Sequence, residues 1–160
     1  VLAILWGLLP PLEGDIRVQM APGYVVSDPE ERGRLAGWIG HHDGVKGQLS
    51  VSENAQFFAT LHGARVSVSS VLDRVGLSRI ADLPAQYLSA GQRRRLGLPR
   101  LILSDRPLWL LDEPLSSPDA AGRRLTAELI GQHCDDGGNA IVATHENLGL
   151  DATRFTLGQA

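Results

Sequence analysis

Two adjacent carboxylates, Asp112 and Glu113, close an apolar run in the stretch PLWLLDEPLSSPDA, Pro107 to Ala120. One acid after such a run merely marks where a strand reaches water. Two in succession offer more. Neighbours on an extended strand point to opposite faces, so one acid can serve a magnesium ion through its water shell while the other faces an attacking water. That division suits nucleotide hydrolysis, whose chemistry is mostly positioning and charge neutralisation. Two further groups could take part. His145 ends ATH, and Ser89 to Gln92, SAGQ, open a helix. Alone, His145 reads as a histidine satisfied at a strand end and SAG as an ordinary cap.

The elements that must position these residues follow from periodicity. PLWLLDEP and NAIVATH are short continuous apolar runs with a helical segment, DAAGRRLTAELIGQHC, between them, the strand-helix-strand order of a buried parallel sheet. The two acids then lie at a strand's carboxyl end, the edge where open parallel sheets bind ligands. Upstream, VLAILWGLLPPL reads as a core helix, GDIRVQM as an alternating strand and LAGWIG as another short one. Helices are expected from a Ser52 cap to a glycine (SENAQFFATLHG), from Ser69 (SSVLDRVGL) and from about Ser89 (SAGQRRRLGL). Pro99 falls where the last of these should continue, and an interior proline costs about 3 kcal/mol and predicts a kink.

Composition sets the outer limits. The 160 residues, 43% hydrophobic and 21% charged, suit one globular domain or part of one. A formal net charge of -3 gives no electrostatic footprint for nucleic acid, the arginines being scattered apart from Arg93, Arg94 and Arg95. With Cys134 as the sole cysteine, no disulfide framework or cysteine metal site can form within the chain, and a reducing cytoplasm is expected. The apolar start lacks a basic flank and a cleavage site, and Pro10-Pro11 stops it well short of the roughly 20 residues a membrane span needs. Neighbouring His41 and His42 point apart on an extended segment and make a poor metal pair.

LSAGQ (Leu88 to Gln92), LWLLDEP about twenty residues on, the Ser116 to Asp119 turn and ATH ending at His145 together resemble the signature, Walker B, D-loop and switch-histidine series of ABC-type ATPases. The resemblance implies an α/β fold, a P-loop-NTPase-like ABC ATPase core with a parallel sheet and an inserted helical subdomain at about residues 45–104. It implies ATP and Mg2+ as cofactors, with Asp112 holding magnesium, Glu113 polarising the attacking water and His145 contacting the terminal phosphate. It also implies a head-to-tail dimer, in which Ser89, Ala90, Gly91 and Gln92 meet the nucleotide of a second ABC ATPase subunit and Asp119 lies in the contacting D-loop. The segment GWIGHHDGVKGQLSVSENAQFF narrows this further: Gly40, His41, Gly44, Lys46, Glu53 and Asn54, with LSAGQRRR, resemble the ATP-binding subunit of haem exporters of cytochrome c maturation. His41 stands where ABC ATPases in general usually carry the hinge glutamine. Transmembrane permease subunits as partners and a peripheral place on the cytoplasmic face of the inner membrane are implied with it.

The resemblance departs from its family in two ways. Ser117-Pro118 replaces the usual small residue and leucine of the D-loop, which stiffens the turn. No GxxxxGK[ST] loop occurs, and Lys46, the single lysine, sits in GHHDGVKG with the wrong glycine spacing. The expectation is that the chain starts shortly after that loop, as an N-terminally incomplete domain. Two rival readings stay open here: an ABC-type ATPase without a permease, and a catalytically inactive interaction module.

Overall fold

The computed structural model describes residues 1–40, 43–116 and 119–156. Three apolar runs become one parallel sheet. β3 (Ala36–Ile39), β4 (Leu108–Asp112) and β5 (Asn139–Ala143) lie in the order β3-β4-β5, with Ala36 beside Leu108, and Leu108 beside Asn139. The central strand is covered on both faces, which explains its unbroken apolar run: Trp109, Leu110 and Leu111 are all buried. β5 has a neighbour on one side only among the described residues, and its exposure alternates along the strand.

Before the sheet come a short helix α1 (Leu2–Trp6), a hairpin of β1 (Val18–Ala21) and β2 (Tyr24–Val26), and α2 (Pro29–Leu35). Leu2 and Ala36 pack with Leu110 on one face of the sheet, and Trp6 stacks on Trp38 at 5.2 Å between centroids. The core helix expected from VLAILWGLLPPL is shorter than its pattern. It ends at Trp6, because Gly7 takes φ 93 and a Cβ there would strike the Pro29 carbonyl. Leu8, Leu9 and Leu12 are consequently exposed. The Pro22-Gly23 turn, with Gly23 at φ 83, folds the strand read in GDIRVQM back on residues 24–26.

Between β3 and β4 the chain is helical: α3 (Val51–His62), α4 (Val68–Arg74), α5 (Ala90–Gly97) and α6 (Pro99–Ser104), with 3-10 turns at Ser78–Ile80 and Ala85–Tyr87. Val51, Ala55, Val71, Leu96 and Leu101 join Ile39, Trp109 and Leu111 in the larger core. Two caps fall two residues earlier than expected. Ser50, not Ser52, caps α3, because only Ser50 has a glutamate three residues on to complete the reciprocal box with Glu53. Ser67, not Ser69, caps α4. The bend expected at Pro99 falls at Leu98, which keeps helical backbone angles while separating α5 from α6, and Pro99 is the first residue of α6, where it sacrifices no hydrogen bond. α7 (Ala120–Asp135) then crosses from β4 to β5 and buries Leu129 and Ile130 against the same core.

Candidate functional site

The carboxyl edge of the sheet is built by the last bonds of the β4–β5 ladder. Asp112 is the final residue of β4, paired with Ala143. Glu113 donates its N–H to the Ala143 carbonyl at 2.8 Å and then leaves the strand, with φ 46. The expected alternation of the two acids along an extended strand therefore stops at Asp112. The direction of Glu113 is set by a left-handed backbone, which costs a non-glycine residue about 1–3 kcal/mol and needs support from its surroundings.

That turn brings Glu113 to the residues just past β5. Glu113 Oε1 lies 2.9 Å from His145 Nδ1, and Thr144 Oγ1 donates to Glu113 Oε2 at 3.2 Å. The hydrogen bond to His145 holds the Glu113 carboxyl below the usual carboxylate range against an opposing effect of burial, and the same bond pushes the His145 imidazole up. The histidine side chain is 81% exposed and the glutamate 31%, so the pair faces solvent at the sheet edge. Its members follow the ends of two strands brought into register by the ladder.

A second group forms at the start of α5. Ser89 is its N-cap: Ser89 Oγ accepts from the Gln92 N–H at 3.2 Å, and Gln92 Oε1 accepts from the Ser89 N–H at 2.9 Å. Ala90 is exposed, while Gly91 is buried against Asp119, whose Cβ would lie 2.9 Å from a Cβ on the glycine. Asp119 in turn caps α7, accepting from the Ala121 N–H at 3.0 Å, and pairs with Arg95 at 3.6 Å. The side-chain hydrogen bonds of Ser89 and Gln92 thus run to each other rather than to the acids at the sheet edge.

The arginine triplet is used inside the chain, one member in each direction. Arg93 donates to the Ala85 carbonyl at 2.9 Å, and Arg95 faces Asp119. Arg94 reaches the sheet edge: its Nη2 donates to the Glu113 carbonyl at 2.8 Å and the Asp112 carbonyl at 3.3 Å. Its Nη1 meets Asp43 Oδ1 at 2.9 Å and the Gly40 carbonyl at 3.3 Å. Sequence reading missed Arg94, Thr144 and Asp43 as parts of this edge. The only signals were the place of Arg94 within LSAGQRRR and of Thr144 within ATH. His41, assigned to the hinge, lies outside the described residues, as does the Ser117-Pro118 pair. Of the other hinge residues, Asn54 is buried and binds residues 46–50 through its amide, accepting from the Lys46 N–H at 2.8 Å and donating to three carbonyls.

For a metal, the donor chemistry at this edge is that of hard oxygen. Among the described residues no three His, Cys, Asp or Glu side chains cluster to hold a metal unaided. Asp112 supplies one hard carboxylate at a ligand-binding edge, which suits magnesium brought in by phosphates and completed by water.

Comparison with known proteins agrees with this architecture. Residues 1–116 match the family model of ABC transporters, a span that takes in the hinge, α5, Asp112 and Glu113 and ends before Asp119 and His145. The cytochrome c biogenesis ATP-binding export protein CcmA of Rhodopseudomonas palustris strain BisB5 is 40% identical over 162 residues, covering 100% of this chain and 78% of that protein. The protein of the same description from Rhodobacter capsulatus is 44% identical over 154 residues, covering 96% and 65%. Among solved structures, the dimeric post-hydrolysis state of the ATP-binding cassette MJ0796 bound to ADP and Pi superposes with a TM-score of 0.72 at 20% identity, covering 91% of this chain and 68% of that one. At that identity the superposition speaks to the fold, which is that of an ABC ATPase. By its sequence, its sheet order and these matches, the chain belongs to the ABC transporter family.

Proposed function

We propose that the protein is the ATP-binding and hydrolysing subunit of an ABC transporter serving cytochrome c biogenesis, with haem as the exported class of cargo. The observation that carries the catalytic part is the meeting of Glu113, His145 and Thr144 one residue beyond Asp112, at the carboxyl edge of a parallel sheet. The cytochrome c part rests on likeness to the export proteins across 96–100% of this chain.

Each residue has a role that follows from its chemistry. Asp112 holds magnesium, which when bound neutralises charge on the transferring phosphate. Glu113 orients and polarises the attacking water. His145 has one ring nitrogen on Glu113, so Nε2 is left for the terminal phosphate. Only the imidazolium donates from both nitrogens at once, and the carboxylate's effect on the ring favours that form. Ser89, Ala90, Gly91 and Gln92 present the capped start of α5 to the nucleotide of a second subunit, with Asp119 behind them, and His41 belongs to the hinge. Residues 45–104 form the helical subdomain that a transmembrane permease engages. No described helix is long and apolar enough to cross a membrane; the place proposed for the subunit is peripheral, on the cytoplasmic face of the inner membrane.

The test is magnesium-dependent phosphate release by the protein isolated from its own cells with the subunits it assembles with. Glu113→Gln should slow turnover by a factor of about a hundred or more while leaving nucleotide binding nearly intact. Turnover at the wild-type rate would overturn the catalytic assignment. Membranes of cells carrying that variant should also lose covalently attached haem in their c-type cytochromes, and unchanged haem staining would remove the cytochrome c assignment alone.

A further inference from the structure

The triplet Arg93 to Arg95 follows the signature stretch, yet its middle member points away from that stretch and into the sheet edge. The Arg94 side chain is 12% exposed and the Asp43 side chain 23% exposed, so their 2.9 Å ion pair is largely shielded from water. Two segments distant in sequence converge on one guanidinium: the hinge after β3 through Gly40 and Asp43, and the end of β4 through Asp112 and the left-handed residue that follows it, Glu113. The shortest of its bonds to the main chain, at 2.8 Å, is to the carbonyl of Glu113. That carbonyl also accepts from the Ser116 N–H at 3.1 Å, so the turn that follows the acid is built on the same oxygen.

A planar guanidinium suits this task and an ammonium does not. Its two terminal nitrogens diverge in a fixed fork, so one can be held by Asp43 while the other is aimed at two successive carbonyls. The φ of 46 at Glu113 is a conformation that its own side chain disfavours. Inside the peptide plane on its amino side, the Ala143 carbonyl fixes the N–H. On its carboxyl side, Arg94 is the charged group that fixes the C=O. Held at both ends, the residue can turn only its side chain, and that side chain meets His145 and Thr144.

We infer that Arg94 is a positioning residue for Glu113: anchored by Asp43, its guanidinium locks the left-handed backbone that delivers the Glu113 carboxylate to His145 and Thr144. It also joins the helix that begins at Ser89 to the acid at the sheet edge of the same subunit. Displacement of α5 therefore pulls on the peptide of Glu113. The catalytic consequence rests on Glu113 being the group that orients water, whereas the mechanical link does not.

The experiment separates the two. In the 160-residue chain, free of nucleotide, amide hydrogen exchange is followed residue by residue by NMR for wild type and Arg94→Met, which keeps the length and apolar stem but removes every donor. The Glu113 amide should exchange about tenfold faster or more, while the amides of Leu110 and Leu111 in the middle of β4 keep their protection. A folded Arg94→Met chain with wild-type exchange at Glu113 overturns the proposal. Should Arg94→Met not fold, Asp43→Asn removes the anchor alone and should accelerate Glu113 in the same selective way; unchanged exchange there overturns the proposal equally. In the assembled, hydrolysing protein, Arg94→Met should lower kcat by about ten- to a hundredfold with KM for ATP unchanged, and Arg94→Lys should recover only part of the loss. Faster exchange at Glu113 with undiminished kcat supports the mechanical link and counts against Glu113 as the water-orienting group.

Discussion

Asn54 shows how one side chain can organise a functional segment without touching its chemistry. It is buried at the start of α3, and its amide bonds both the N–H and the C=O of Lys46 and the carbonyls of Leu49 and Ser50. Removing it strands several buried backbone groups at once, so Asn54→Ala should lower stability by about 2–4 kcal/mol in urea denaturation. Gly91 sets two opposing effects against each other. Alanine gains about 1 kcal/mol of helix propensity over glycine, but its methyl would sit 2.9 Å from the Cβ of Asp119, and overpacking of that kind costs about 1–3 kcal/mol. The crowding wins, and Gly91→Ala should melt below wild type; a raised melting temperature would show that Asp119 can step aside. At this scale much of the site was legible. Asp112, Glu113, Ser89 and His145 announce themselves by motif and spacing. Arg94 did not, because nothing local distinguishes it from Arg93 or Arg95, and its direction exists only once α5 packs beside β4. Glu113 was aimed wrongly, since a strand rule was applied one residue past the strand's end.

Elements were read well where their signal is local and continuous. β3, β4 and β5 stood out because strands buried on a parallel sheet need long apolar runs, and α5 and α7 because their caps are next to their first turns. α1 was overextended because leucines beyond Gly7 continue a helical pattern that the Pro29 carbonyl interrupts from a distance. Pro99 was read as damage inside a helix, although as the first residue of α6 it is at a position that favours proline. The seam between α7 and β4 carries a titration of its own. His133 stacks on Trp109 with ring centroids 4.0 Å apart, and burial pushes the imidazole pKa down. Such a histidine favours its neutral form in the folded chain, so the unfolded chain binds the extra proton first as the pH falls below about 6.5. Its share of stability is complete above that pH and is lost on acidification toward the lower folded value. His133→Phe keeps a ring against Trp109 without a proton to bind. The melting temperature of that variant should therefore fall less than that of wild type between pH 7.5 and 5.5, and parallel melting curves would show that His133 does not contribute.

For the molecule as a whole, the decisive quantity is how much of a nucleotide these residues can hold by themselves. A Walker-type site anchors the phosphates with a loop of backbone N–H groups and a lysine that reaches the β/γ oxygens, and its hydroxyl residue completes the magnesium shell. The 160 residues contain no GxxxxGK[ST] sequence, and their single lysine, Lys46, has its ammonium over the Phe57 ring at 4.9 Å. What the chain does bring to the phosphate side includes two acids, Asp112 and Glu113, together at the sheet edge; the Arg94 guanidinium there is taken up by Asp43 and main-chain carbonyls, and the cation paired with the Glu113 carboxylate is an exposed histidine. Without the loop's positive field these carboxylates repel a polyphosphate in the space where it would lie, and attraction through one shared magnesium must overcome that repulsion in contact with water, where charge pairs are weak. The residues we propose to position water are thus folded in this chain, while no Walker-type loop to grip phosphate is encoded in it. ATP-magnesium titrated into the purified 160-residue chain should give no saturable heat below about 1 mM and no steady phosphate release. Micromolar affinity accompanied by turnover would mean that residues of this chain other than a Walker loop anchor the nucleotide.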